Sequence, residues 1–490
     1  LHVTAPARTA NAKTAPGAPI ILLITSLGVL IAQIDTSIVN LALKQIGTAF
    51  EAGVNTLQWV VDAYNLVYAS LLLTAGILAD LYGRRRVFVL GILLFAIGSL
   101  VCGLAASPSV LIGGRAIAGL GAALEVPTSL ALLTVAYPDP RKRAHALGLW
   151  ASCNGLAFII GPTLGGVLVD AAGWRSIFLL VIPLCAIVLT LSTGHLPESK
   201  DQKGRCLDLP SQALAVVALG GLSLGVIEGP RWGWLSTESA ASFALSIIAA
   251  VWFFRRQADT DAALVPVPML KNRTFSACLT VAAAMTFGMY AMLFLVPLYL
   301  QSARGASAVL AGLELLPMSV TFVVVSQMSG RTANALGPRI PMSLGMAMMS
   351  AGLLMLALLP FADSLSLIEG ALLIIGCGLG LNTGPLNAVA VAAVPVTRSG
   401  IASGLLNTAR MIGATLGVAV LGAVFATFAG SAEFGEGGRM IAGLAPAFIA
   451  GAIGEMLGAV AALLFIPSAA LDRQSQCPDS EVRPQLASRP

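Results

Sequence analysis

The sequence of this 490-residue chain predicts an all-α polytopic membrane fold, with two six-helix bundles and two additional spans between them; three observations predict it. The mean hydropathy is +0.88. With 57% apolar and only 10% charged residues, there is too little polar surface to cover a water-soluble globule of this size. About fourteen apolar runs follow one another, each near the ~20 residues that cross a hydrocarbon core. Of the 28 Lys and Arg residues, twenty-one fall in alternate gaps between runs, five fall in the other gaps and two lie inside runs. That alternation requires an even number of spans and predicts that both ends face the cytoplasm.

Taken in order, residues 1–17 form a polar tail rich in Ala and Pro, too hydrophilic for a cleaved signal peptide, so the first span serves as the insertion signal. A first bundle over 18–205 carries spans at about 20–43, 56–79, 87–106, 109–135, 144–169 and 174–193. Two inserted spans, 209–228 and 237–254, occupy 206–275 with their loops. A second bundle over 276–470 carries spans at about 276–300, 308–330, 340–360, 366–392, 399–428 and 441–466. Residues 471–490 form a second cytoplasmic tail. Arg84, Arg85, Arg86, Arg141, Lys142, Arg143, Lys200, Lys203, Arg205, Arg255, Arg256, Lys271, Arg273, Arg331, Arg339 and Arg398 mark the inner gaps, whereas Lys44, Arg175, Arg231, Arg304 and Arg439 mark the outer ones.

The division into two bundles rests on an internal repeat. GILADLYGRRR at 76–86 aligns with GRTANALGPRI at 330–340, which sets Gly76 on Gly330, Asp80 on Asn334, Gly83 on Gly337 and Arg85 on Arg339. Gly148, Gly161 and Gly165 match Gly400, Gly413 and Gly417 at nearly the same offset.

Several function classes are excluded or disfavoured. No gap is large enough for a soluble catalytic domain, no nucleophile or H-E-x-x-H constellation is apparent, and the chain is not expected to be an enzyme. The seven cysteines and three histidines are scattered without metal-ligand spacing, so neither a metal nor a cofactor is expected. The formal charge of +5 is spread over inner loops and does not point to nucleic acid. No obligate protein partner is evident. The expected surroundings are membrane lipid, in the cell membrane.

At this point the chain resembles the major facilitator superfamily, and within it the fourteen-span drug:proton antiporter branch. GILADLYGRRR matches the signature loop G-x-L-a-D-r-x-G-r-k, with Leu81 replacing the usual basic residue. LIGGRAIAGLGAA at 111–123 is similar to the fourth-span motif that carries an embedded Arg, here Arg115. In the fifth span Gly148, Gly161, Pro162, Gly165 and Gly166 fit the exporter motif, although Ala157 replaces one of its glycines, and IDTSIVNLAL at 34–43 resembles the first-span signature. The resemblance implies multidrug efflux, antibiotic resistance and proton antiport by alternating access. It also implies a conformational switch at Gly76, Asp80, Gly83, Arg84 and Arg85, while Gly161, Pro162, Gly165 and Gly166 supply a helix that packs closely and bends.

Charges inside spans cost about 2.5–3.5 kcal/mol each on insertion scales, so they should be paired or face water. Asp35 in span 1 lies within reach of Arg115 in span 4, and a carboxylate paired in one state and unpaired in another would serve proton coupling. Gln58, Asp62 and Asn65 form a polar stripe on span 2 that lines either a cavity or the outer headgroup level. Glu125 sits too deep in span 4 to snorkel. In the second half, Arg410 beside Asn407 either pairs with Glu455 across the bundle or serves separately, whereas Glu228, Glu314 and Glu369 lie nearer outer span ends, where solvation is expected. Without any nucleotide-binding motif, an ion gradient must supply the energy. The expected partners are a small-molecule substrate and protons. The expected function is export of amphipathic drugs, with a narrow-specificity metabolite exporter or a transport-dead sensor as alternatives.

Overall fold

The protein is described by a computed structural model covering residues 17–200, 207–259, 264–362, 364–395, 398–430 and 436–468. The expected tails, Lys203, Arg205 and the boundary at 205/206 lie outside the described residues, as does the side chain of Arg439. Among the described residues sixteen helices follow one another. The first half contains α1 (Ala18–Phe50), α2 (Val54–Tyr82), α3 (Arg84–Gly103), α4 (Pro108–Ala136), α5 (Pro140–Ala172) and α6 (Arg175–His195). Next come α7 (Leu209–Trp232), α8 (Thr237–Asp259) and the short α9 (Val267–Leu270). The second half contains α10 (Arg273–Ser302), α11 (Ala308–Glu314), α12 (Leu316–Leu336), α13 (Arg339–Leu356), α14 (Leu365–Ala392), α15 (Ser399–Gly430) and α16 (Glu436–Phe465).

Fourteen spans among the described residues are long and apolar enough to cross a membrane, α11 and α12 together making one of them. The expected tenth span is therefore broken. Pro317 in the first turn of α12 has no N–H to give the preceding turn, and Leu315 stands between the two helices. Several helices also run past the apolar stretch that marks them, as α1 does to Phe50 and α5 from Pro140. Side-chain caps start many of them: Ser107, Asp139, Asp208, Asn272 and Ser307 each accept a backbone N–H from three residues on.

Within the first half α1 packs on α4, α5 and α6, and α4 on α2 and α3. Within the second, α10 packs on α15 and α16, and α14 on α12 and α13. The repeat extends to individual contacts. The Ser37 hydroxyl on α1 donates to Ala157 O on α5 (3.4 Å), and the Thr286 hydroxyl on α10 donates to Arg410 O on α15 (2.6 Å). Gly161 and Gly165 lie against Ser37 and Ile38, as Gly413 and Gly417 lie against Thr286 and Phe287. Four glycines thus admit two crossings too close for a Cβ. The halves meet through α2 on α15, α5 on α11 and α12, and α1 on α10, while α7 packs on α8, α2 and α15.

Candidate functional site

Two polar clusters lie in the first half. In the first, Arg115 projects from α4 into the core, where its Nη1 donates to Asp35 Oδ2 at 2.5 Å and its Nε to Val60 O at 3.0 Å. The side chains are 2% and 1% exposed, so the pair is shielded from both water and lipid. The guanidinium also lies over the Tyr64 ring, 4.4 Å from its centroid, and Tyr64 donates to Ala32 O at 3.4 Å. Among the described residues Asp35 Oδ1 has no hydrogen-bond partner, which leaves one lone-pair site open beside the pair. Glu125, also on α4, is fully buried, and neither of its oxygens has a partner among the described residues. It lies within electrostatic range of Asp35 and of Tyr68.

The second cluster is the α2 stripe. Gln58 donates to Val418 O (2.9 Å) and Ala419 O (3.0 Å) of α15, so the stripe faces the other bundle. Asp62 is fully buried with neither oxygen in hydrogen-bonding geometry with a described residue, and Asn65 is its polar neighbour. The stripe is covered by protein and is not turned to lipid.

In the second half, Arg410 and Glu455 do not pair. Arg410 donates through Nη1 to Asn407 Oδ1 (3.3 Å) and through Nη2 to Asn387 Oδ1 (3.2 Å). Glu455 is fully buried against Gly288 of α10 and close to Leu353 of α13, away from Arg410. Two solvation expectations also fail. Glu228 is 13% exposed and its Oε1 accepts the Trp59 indole N–H at 2.9 Å, joining α7 to α2, and Glu314 is buried.

At the α2–α3 loop, Gly83 has φ +110°, as its repeat partner Gly337 has φ +78°. Asp80 Oδ1 accepts from Arg84 Nη2 at 2.9 Å, but Arg85 and Arg86 turn elsewhere. Arg85 donates to Thr193 O (2.6 Å) at the end of α6, and its amide donates to Glu198 Oε1 (3.2 Å). Arg86 lies 3.7 Å from Glu198 Oε2. Arg339 repeats the Arg85 contact, reaching Ile466 O (2.7 Å) at the end of α16. Glu198 was not singled out from sequence, because a lone acid after a span gives no signal of its fold partner.

With the arginine-rich ends taken as cytoplasmic, the contacts between bundles are lopsided. Lys44 Nζ donates to Gln301 O (2.5 Å), and Gln301 Nε2 donates to Leu41 O (3.0 Å). Asp170 accepts from the amides of Ala308 (3.0 Å) and Val309 (2.9 Å). These bonds, and those of Gln58, lie in the outer half. Ser319 to Phe158 O (2.7 Å) lies near the middle. Gly166 and Gly312 are pressed against α11 and α5 backbone, whereas Gly76, Gly148, Gly330 and Gly400 in the inner halves of α2, α5, α12 and α15 have no described residue near where a Cβ would stand. Hydrogen bonds between the bundles thus gather toward the outer end, while farther in the contacts are apolar, as with Gly404 against Leu73 and Gly155 against Val323.

Two helical bundles that meet along α2, α5, α12 and α15, with unpaired acids buried near their junction, define a membrane transporter. The chain belongs to the Major Facilitator Superfamily, whose family model matches residues 25–418. It is 39% identical over 410 residues to Multidrug resistance protein Stp of Mycobacterium tuberculosis, covering 83% of this chain and 76% of that one. It is 35% identical over 408 residues to the Methylenomycin A resistance protein of Bacillus subtilis, covering 82% and 87%. Among solved structures, it resembles a bacterial homolog of the human lysosomal transporter Spinster, in an inward-facing and occupied conformation. That match has a TM-score of 0.67 at 18% identity and covers 92% and 97% of the two chains, a likeness of fold.

Proposed function

We propose that this transporter exports amphipathic small molecules in exchange for protons, exposing one site alternately to the two sides of the membrane. The observation that carries the reading is the Asp35–Arg115 pair. The carboxylate and guanidinium hold each other while the pair is closed, and parting the pair frees the carboxylate to exchange its partner. Val60, whose carbonyl accepts from the same guanidinium, lies on α2, the helix that meets α15 across the junction. Movement at the junction therefore reaches the pair through one hydrogen bond.

Glu125 and Asp62 supply further buried carboxylates near that path. A gradient of about 100 mV gives roughly 2.3 kcal/mol per proton, and one pH unit adds about 1.4 kcal/mol. For a monovalent cation exchanged against one proton the voltage contribution cancels, so more than one acid is useful. The names of the relatives support drugs and antibiotics as the substrate class. A second reading, a narrow-specificity exporter of a single metabolite, is favoured by similarity to a protein named for resistance to one antibiotic.

The test is a panel of lipophilic cations and neutral antibiotics added to inverted vesicles while lumenal pH is followed. Antiport predicts that the lumen becomes more alkaline as substrate enters. Uptake with no pH change would reject proton exchange.

A further inference from the structure

We propose that Arg410 is the recognition point for an oxyanion on the exported molecule, so that amphipaths carrying a carboxylate are substrates. This rests on the export reading above and adds a substrate class to it. Arg410 lies roughly 16 Å along α15 from Ser399, at 1.5 Å per residue, and so well inside the membrane. A cation there must be paired or wet. Arg115 meets that demand with a carboxylate, a backbone carbonyl and an aromatic face, and is sealed from solvent. Arg410 meets it differently. Among the described residues no carboxylate lies within ion-pair distance of it, its two hydrogen bonds go to the neutral amide oxygens of Asn407 and Asn387, and its buried Nε has no acceptor.

Two amides 3.2–3.3 Å away orient a guanidinium without neutralising it. Arg410 is only half-buried and Asn387 is exposed. A polar pair with that exposure at membrane depth belongs on water rather than on lipid. Glu455 does not neutralise the site, since it is held against Gly288 and near Leu353. Tyr290 of α10 lies within electrostatic range of Arg410. An unneutralised guanidinium with a free N–H fits a planar carboxylate, which can accept two parallel hydrogen bonds.

The test uses the full chain in inside-out proteoliposomes, with pyrenebutyrate as the carboxylate probe and ethidium as the cationic one. The wild type should move both. Arg410→Gln should lower the ratio of initial rates, pyrenebutyrate over ethidium, at least tenfold, and Arg410→Lys should keep it within threefold. A ratio within twofold of wild type in Arg410→Gln, or a wild type that moves ethidium but not pyrenebutyrate, overturns the assignment while leaving export intact. A wild type that moves neither overturns the export reading as well. Should Arg410→Gln fail to insert, phenylglyoxal modification of wild-type Arg410 decides the matter. Pyrenebutyrate should slow it and ethidium should not; equal protection, or none, overturns the proposal.

Discussion

Glu125 in α4 and Asn382 in α14 stand at matching positions of the two halves. Each lies one turn after a glycine, Gly121 or Gly378, that is pressed against the facing helix at Gly91 or Gly345. The same crossing thus carries an unpartnered acid in the first half. In the second it carries an amide that donates to the sulfurs of Met285 (3.3 Å) and Met346 (3.1 Å). Only the first half can take up a proton there. Glu125→Gln, which copies the neutral chemistry of the second half, is expected to insert normally and to lower the protons exchanged per substrate by one. Parallel flux and pH measurements on the reconstituted protein check this.

Open space beside two inner-half glycines makes a prediction. Gly76→Leu and Gly400→Leu fill open space in this conformation, so thermal stability should change by less than about 1 kcal/mol. Export should nonetheless be lost, because the state closed to the cytoplasm would bring these helices together. Gly417→Leu, by contrast, drives a side chain into the Phe287 backbone and should cost about 1–3 kcal/mol. Thermal unfolding in detergent beside an export assay separates the two patterns.

Asp170 holds the outer end shut with two backbone amides of α11. Hydrogen bonds to a charged group contribute about 1.5–3 kcal/mol each, so Asp170→Ala should shift the balance toward an outward-open state by tenfold or more. Labelling of a cysteine placed at Ala311, buried on α11 at the outer closure, by an impermeant thiol reagent should accelerate accordingly.

Asp208, at the membrane-surface end of α7, titrates outside the spans. Burial raises its proton affinity, but the hydroxyl and amide of Ser211 and the Arg256 guanidinium outweigh burial and hold its carboxyl below the usual range. A depressed folded-state value means that the stabilisation is fully present above the unfolded value of about 3.9 and is lost as pH falls through the folded one. Thermal stability should therefore lose this contribution only below about pH 4, and Asp208→Ala should abolish that acid-side component while lowering stability at pH 7 by about 1–2 kcal/mol. Melting curves from pH 8 to pH 3 on both proteins check it.

Much of this was legible in the sequence, for reasons that differ by feature. Spans are written in runs of apolar residues, and a mid-span Asp and Arg have few ways to be tolerated besides meeting each other, so Asp35 and Arg115 could be joined in advance. The repeat was visible because glycines at close crossings cannot be replaced, as the paired contacts of Gly161 and Gly413 illustrate. Azimuth was harder to read. A span's hydropathy does not say which neighbour its polar stripe faces, so sequence leaves Asp62 between two settings and allows Arg410 to reach Glu455, although α10 holds that acid at Gly288. Contacts between distant loops, such as Arg85 with Thr193 and Glu198, leave no local signature at all.

The central claim, that the Asp35 carboxylate carries the exchanged proton, is tested most directly by following lumenal pH in inverted vesicles as substrate is added to wild type and to Asp35→Asn. The account predicts alkalinisation coupled to uptake in the wild type, and neither pH change nor gradient-driven uptake in the variant at equal membrane levels. Proton-coupled uptake by Asp35→Asn at the wild-type rate would contradict it.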